Sequence, residues 1–320
     1  MATKFAVGID VGGTNTKIGI ADSDGNIVKY KSIPTPQSVP DSTVAIIADE
    51  VFALLEKVPE IKISGVGVGF PAAIIQPEGI VDASPNLPGW GNVALGKIFK
   101  ERFGENVFID NDANAAALAE YLWGEGKGED PLIMFTLGTG IGGGIIIGGK
   151  IYRGATGGAG EIGHQTIDLN GKKLCRCGNY GCLEAIAGSY GIIARAWELL
   201  KLDKGSMIWG ILGGDYGGLT AEMVGSAAKD GDKTALIIAK EVTRALGAAV
   251  ANTINVFNPR CVLIAGGMTE WGKELLLNPI IAEAKRRAFK GHFKACRIAF
   301  AKGGAKAGVL GAAGLALGGF

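Results

Sequence analysis

The chain carries almost no net charge: 32 Lys and Arg stand against 31 Asp and Glu, a formal +1 at pH 7. A large phosphate-backbone footprint needs basic excess, so the balance argues against a nucleic-acid partner. No block of like charge marks an interaction tail. The first ten residues lack the charged, apolar and small succession of a secretory leader. Every apolar stretch is broken by charge or glycine, which argues against a transmembrane span. The expectation is a cytoplasmic protein without a membrane partner. Pro/Ser linkers and low-complexity segments are missing too. Histidine is scarce, at two residues, and the five cysteines are odd in number. Three of them crowd into 175–182, which without a leader reads as metal binding rather than disulfides.

Glycine is abundant instead, at 53 of 320 residues. It follows no G-X-Y period, so the chain is not collagen. The glycines cluster between apolar runs, as tight turns and close backbone approach to a ligand require. The length suits two ordinary domains around one cleft. Composition and spacing predict strands over 4–10, 17–21, 27–33, 63–70 and 107–109, with a hairpin at Asp24-Gly25. Helices are predicted over 44–55 and 113–123, the second capped by Asp112 or Asn111. A second series follows: strands at 132–137, 145–147 and 150–152, separated by a glycine turn at 138–144 and by Gly148-Gly149. Strand, glycine turn, strand, tight turn, strand thus occurs twice. The reading is a duplicated α/β architecture in which each domain offers a glycine turn to a shared cleft. Helices at 183–200, 233–257, 279–289 and 308–317 and strands at 261–265 and 297–301 complete the pattern.

Two turns suit phosphates. In Asp10-Val11-Gly12-Gly13-Thr14-Asn15-Thr16-Lys17, glycines let backbone N–H groups face phosphate oxygens, and Thr14 and Asn15 add donors. Asp10, at a strand end, is placed to hold Mg²⁺ through water. A plain hairpin with a surface aspartate is the competing use. The second turn, Gly138-Thr139-Gly140-Ile141-Gly142-Gly143-Gly144, is neither a Walker loop nor a dinucleotide fingerprint. A third pair, Gly266-Gly267, lets adenine or ribose lie against backbone, or is simply a strand-to-helix turn.

Asp110-Asn111-Asp112 sits between a strand and an Ala-rich helix. Phosphoryl transfer to a sugar needs one positioned acceptor for the hydroxyl proton, and Asp112 is the chosen residue. Asp110 and Asn111 are neighbours for orienting substrate. The competing use of Asp112 is a helix cap. His164 with Cys175, Cys177 and Cys182 matches a closed four-ligand zinc site; buried thiols or a redox pair are the alternatives. Gly178 and Gly181 permit the chain to fold back there. Glu161 and Glu184 flank the ligands as acceptors for sugar hydroxyls, or as solvated surface carboxylates. In 84–90, Asn86 offers a hydroxyl contact and Trp90 a stacking or packing face.

Together these segments resemble the ROK family of sugar kinases and related transcriptional repressors, closest to its glucokinases. The resemblance covers essentially the whole chain. It rests on residues 10–17, 86–90, 111–112, 137–144, 161–164, 175–184 and 266–267, the zinc segment being the most specific. It implies a two-lobed actin-like, hexokinase-like ATPase fold with an interlobe active-site cleft, the smaller lobe at 1–112 plus 305–320 and the larger at 113–304. It implies ATP with Mg²⁺, structural Zn²⁺ and a dimer or tetramer. It implies Asp112 as base and sugar contacts from Asn86, Asn111, Asp112, Glu161, His164 and Glu184, with one His164 nitrogen for zinc and one for sugar. Nucleotide contacts are expected from Asp10, Gly12, Gly13, Thr14, Asn15, Lys17, Gly138, Thr139, Gly140, Gly266 and Gly267. The implied reaction is phosphorylation of glucose at the 6-hydroxyl, with other hexoses and N-acetylhexosamines as alternative acceptors. The family's sugar-sensing regulators carry a DNA-binding module ahead of the kinase-like part, and the first phosphate strand at about Lys4 leaves no room for one. A heat-shock-type ATPase would leave the zinc and glutamates without a job.

Overall fold

The computed structural model describes residues 3–82 and 89–318. The strands are β1 (Phe5–Val11), β2 (Asn15–Asp22), β3 (Ile27–Pro34), β4 (Ile63–Phe70), β5 (Ile74–Ile75), β6 (Ile80–Val81), β7 (Val107–Asn111), β8 (Leu132–Leu137), β9 (Ile141–Ile147), β10 (Lys150–Ile151), β11 (Cys261–Ala265) and β12 (Arg297–Phe300). The helices are α1 (Pro40–Leu55), α2 (Leu95–Phe103), α3 (Asp112–Leu122), α4 (Leu183–Ala187), α5 (Ser189–Leu200), α6 (Ile208–Leu212), α7 (Ala221–Lys229), α8 (Lys233–Phe257), α9 (Asn278–Arg287), α10 (Lys290–Ala295) and α11 (Ala307–Gly318).

One five-stranded sheet runs β3-β2-β1-β4-β7 and the other β10-β9-β8-β11-β12. Numbered within each sheet by chain order, both read 3-2-1-4-5. The duplication expected from two short glycine patterns is therefore present as identical strand order. The chain divides into two compact units: Met1–Leu132 with Gly144–Gly160 and Ala301–Phe320, and Ile133–Gly143 with Glu161–Phe300. Helix α3 and the residues to Leu132 belong to the first unit, beyond the expected boundary at 112. No helix among the described residues is long and apolar enough to cross a membrane.

Alternation along β1 and β4 builds the first unit. Val7, Ile9, Val66, Val68 and Phe70 are buried in one core with Val44, Ile47 and Val51 of α1 and Leu95 and Phe99 of α2. The intervening positions, Ala6, Gly8, Gly65, Gly67 and Gly69, face the other way. There the backbone of α11 comes down onto the sheet. A Cβ at Gly8 would overlap the carbonyl of Val309, and one at Gly67 the carbonyl of Ala312. On α11 itself, a Cβ at Gly311 would overlap the carbonyl of Ala115 in α3. The same strands thus present bulk to α1 and α2 and bare backbone to α11. In the second unit α8 is the long central helix. Its N-cap Asp232 accepts from the Ala235 amide at 2.7 Å, and Asn258 closes it in the left-handed conformation.

Three expectations need correction. The glycine turn ends at Gly140, because Ile141 begins β9 and Gly142–Gly144 lie in the strand. Gly144 has another reason to be glycine: a Cβ would press on Ala117 and the Ala113 carbonyl in α3. The helix expected over 183–200 breaks at Gly188, which is extended, while the Ser189 amide and hydroxyl both donate to the Gly138 carbonyl, at 3.1 and 2.7 Å. The helix expected over 279–289 ends at Arg287. Helices α2, α6, α7 and α10 were not expected. For α2 no side chain caps the start, so the strongest sequence signal was missing.

The glycine face makes a direct prediction. Gly67→Ala should lower stability by about 1–3 kcal/mol, since the obstructing atoms are backbone. Gly210→Ala, in α6 with nothing within 4 Å of the added carbon, should be neutral or stabilising. Chemical denaturation of both variants checks this; an unchanged midpoint for Gly67→Ala contradicts it.

Candidate active site

In the first unit the polar residues gather where parallel strands end. β1 runs parallel to β4, and β4 to β7, with Asp10 opposite Gly69 and Gly69 opposite Asp110. Asp10 and Asp110 therefore share one row, two strands or about 10 Å apart. Carboxyl ends of parallel strands are where open α/β sheets hold ligands. The start of α3 sits directly above the row, for the Asp112 Cα lies 3.5 Å from where a Cβ on Gly69 would stand.

The glycine turn after β1 is a tight hairpin to β2. The Gly12 amide donates to the Asn15 carbonyl at 3.0 Å, while Gly13, Thr14 and Asn15 are exposed. Thr35 straps the turn from β3's end. Its hydroxyl donates to the Gly12 carbonyl at 2.6 Å, its amide to the Thr14 carbonyl at 2.9 Å, and it meets the buried Thr16 hydroxyl at 3.0 Å. Lys17 stands opposite Asp10 in the hairpin and donates to its Oδ2 at 3.3 Å. Burial pushes the Asp10 carboxyl above its ordinary value, and Lys17 opposes the shift. Gly308 of α11 packs directly on that carboxyl, where any side chain would collide with it. Neither Thr35 nor Gly308 was singled out from sequence. The glycine spacing 308, 311, 314 was the available signal for the second.

At the β7–α3 junction the competing roles of Asp112 separate. Asn111, not Asp112, is the N-cap: its Oδ1 accepts from the amides of Ala113 at 2.9 Å and Asn114 at 3.3 Å. Asn111 Nδ2 donates to the Ala72 carbonyl at 3.2 Å, so one of its two N–H groups is used within the fold. Asp112 occupies the first helical position, half-buried, with Oδ1 accepting from the Ala113 amide at 2.8 Å. Asp110 is buried and faces Arg153, whose Nε donates at 2.7 Å. Trp90 is buried against Phe70, ring centroids 5.0 Å apart, so it packs the core. Asn86 lies outside the described residues.

The second unit gathers its own cluster. The turn Gly138-Thr139-Gly140 closes with the Gly138 amide donating to the Gly140 carbonyl at 3.0 Å. Gly266, at φ +94°, rests against the backbone of Leu137, where a side chain would collide with it. Gly266-Gly267 and the 138–140 turn are thus neighbours, both partly or fully exposed. Glu184 ties this turn to the cysteines. Its Oε2 accepts from the Ile141 amide at 2.8 Å, and its Oε1 lies 3.4 Å from the Tyr190 hydroxyl and 3.9 Å from Cys175 Sγ. Glu184 is buried, so it is no solvated surface carboxylate. Glu161 is exposed, 3.7 Å from His164 Nε2.

His164, Cys175, Cys177 and Cys182 bring their ligand atoms within 4.8 Å of one another, the one such group among the described residues. Gly178 and Gly181 take positive φ, +90° and +73°, as the fold-back requires. Cys177 and Cys182 sulfurs are 3.7 Å apart, and Cys175 Sγ is 3.5 Å from His164 Nδ1. A zinc tetrahedron with Zn–S of about 2.3 Å and Zn–N of about 2.0 Å has edges of about 3.8 Å and 3.5 Å. The residues fit that ion. Burial and the neighbouring thiols push Cys182 up to about 12, a setting in which a bound cation would draw out the thiolates.

Similarity to known proteins agrees with this arrangement. The chain is 37% identical over 277 residues to a glucokinase from Thermotoga maritima, covering 86% of this chain and 85% of that one. It is 33% identical to a xylose repressor from Caldicellulosiruptor bescii, covering 95% of this chain and 76% of the repressor. A crystal structure of a ROK family glucokinase from Streptomyces griseus, in complex with glucose and AMPPNP, superposes with a TM-score of 0.81 at 33% identity, over 97% of this chain and 98% of that one. The fold is the two-domain, actin-like α/β fold of the sugar kinases. The family model named ROK matches residues 6–318, and the chain belongs to the ROK family.

Proposed function

We propose that this protein is an ATP-dependent sugar kinase that phosphorylates the 6-hydroxyl of glucose. One observation carries the reading. Asn111 takes the cap of α3, leaving Asp112 at the first helical position, on the same sheet edge as Asp10 and the Gly12-Gly13 turn. Kinship with glucokinases of 34–38% identity supports the choice of acceptor.

Asp112 accepts the proton of the sugar hydroxyl as that oxygen attacks the terminal phosphorus of ATP; the bond from that phosphorus to the bridging oxygen breaks and ADP leaves. Asn111 holds Asp112 in place through the helix start and so contributes orientation. Gly12, Gly13, Thr14 and Asn15 offer backbone and side-chain donors to phosphate oxygens, and Gly138, Thr139 and Gly140 are a second turn of the same chemistry. Gly266 and Gly267 give the nucleoside a flat backbone surface. Asp10, anchored by Lys17, is the residue to hold Mg²⁺ through water, and that ion supplies charge neutralisation at the phosphates when bound. His164, Cys175, Cys177 and Cys182 hold Zn²⁺, which stiffens the segment carrying Glu161 and Glu184 toward the sugar hydroxyls. Glu184 also grips the Ile141 amide, so a sugar contact there is registered at the phosphate turn.

A coupled ADP-release assay across glucose, mannose, fructose and N-acetylhexosamines, with ATP and polyphosphate as donors, tests the function. Glucose with ATP should give the highest kcat/KM; turnover independent of any sugar contradicts the kinase reading. Asp112→Asn should lower kcat by about 10²–10⁴-fold while glucose binding, read by calorimetry, changes little. Nearly normal turnover removes Asp112 from its role. Metal analysis of protein purified without chelator should find about one zinc per chain, and Cys177→Ser should lose most of it. Zinc far below that ratio in the folded parent protein contradicts the ligand set.

A further inference from the structure

Asp110 has no part in the chemistry just described, yet it is one of the most buried charged residues of the chain, at 2% exposure. Three donors around it are fixed by hydrogen bonds. Its Oδ1 accepts from the Asn111 amide at 2.8 Å and from Asn114 Nδ2 at 2.9 Å. Its Oδ2 accepts from Arg153 Nε at 2.7 Å, on the segment that follows β10. Asn111 in turn caps α3 and reaches across to the Ala72 carbonyl. These contacts tie down the two residues ahead of Asp112.

An acceptor-only group is required at 110. Three N–H donors point at it, and an amide there would set donor against donor on one side. A carboxylate supplies the acceptors but brings a buried negative charge that needs a partner. Arg153 is that partner, and its planar guanidinium gives the pair direction as well as charge.

We infer that Arg153 is a positioning residue for phosphoryl transfer: by holding Asp110 as a buried anion, it fixes the Asn111 cap and the first turn of α3, and through them the Asp112 carboxylate. This rests on the kinase reading, in which Asp112 is the base. Without Arg153 the Asp110 carboxylate turns or draws in water, the cap loosens, and Asp112 departs from its line to the hydroxyl. A displacement near 1 Å at a reacting group costs about 10²-fold in rate. Glucose binding draws on other groups and should survive.

The test compares Arg153→Met, Arg153→Lys, Asp110→Asn and the double variant Asp110→Asn/Arg153→Met. Steady-state kinetics give kcat and KM, calorimetry gives the glucose Kd, and circular dichroism reports folding. Arg153→Met and Asp110→Asn should each lower kcat about 100-fold, with the glucose Kd changed less than about threefold. Arg153→Lys should recover about tenfold of that loss, because it returns the charge without the fork. The double variant should be no worse than either single one, because both act through one carboxylate. Wild-type kcat in Arg153→Met overturns the inference, as does a double variant whose losses multiply. If Arg153→Met does not fold, Arg153→Lys decides: a kcat equal to the parent's overturns it, and a tenfold loss at unchanged glucose Kd upholds it. A parent enzyme that phosphorylates no sugar would instead overturn the kinase reading itself.

Discussion

The structure depends on a bare-backbone face. Gly8 and Gly67 let α11 lie on β1 and β4, and Gly311 lets it lie equally close to α3. That contact brings Gly308 onto the Asp10 carboxyl and sets α3 above the ends of β4 and β7. Because β1, β4 and β7 are parallel and in register, the carboxylates at positions 10 and 110 then lie in one row. Large side chains on the opposite face of the same strands supply the apolar burial that holds the sheet to α1 and α2.

The second unit solves a similar problem with polar ties. A glycine turn has little intrinsic preference for one shape. Here Ser189 holds its first carbonyl and Glu184 its trailing amide. Glu184 also adjoins the Cys and His cluster, so order in that cluster is passed to the turn through one side chain. Arg176 lies over the Tyr190 ring, 4.5 Å from its centroid, and keeps the tyrosine hydroxyl beside Cys175 and Glu184.

Much of this was legible in the sequence because it was local. Hairpins, glycine turns and the spacing of Cys175, Cys177 and Cys182 depend on neighbours along the chain. The alternation Val66-Gly67-Val68-Gly69-Phe70 marked a strand, but its glycines did not reveal that α11 would cover them, since α11 comes more than 200 residues later. The cap at the β7–α3 junction was ambiguous between Asn111 and Asp112, because either residue serves and only the backbone angles choose. Thr35, Ser189 and Arg153 were not legible at all. Each is an ordinary polar residue whose partner is distant in sequence: Gly12, Gly138 and Asp110. The glycines at 142–144 were misread as turn because strand glycines carry no β signal of their own. Asn111 ties its carbonyl oxygen to the Ala113 and Asn114 amides and one N–H to the Ala72 carbonyl, partners that its neighbours in sequence only partly reveal.

The account stands or falls on where a sugar hydroxyl meets this framework. The most direct measurement is a crystal structure of the protein with glucose and a non-hydrolysable ATP analogue. The account predicts the 6-hydroxyl oxygen within hydrogen-bonding distance of the Asp112 carboxylate, about 2.6–3.2 Å. Glucose bound elsewhere, or an Asp112 carboxylate beyond direct or single-water reach of that hydroxyl, would contradict it.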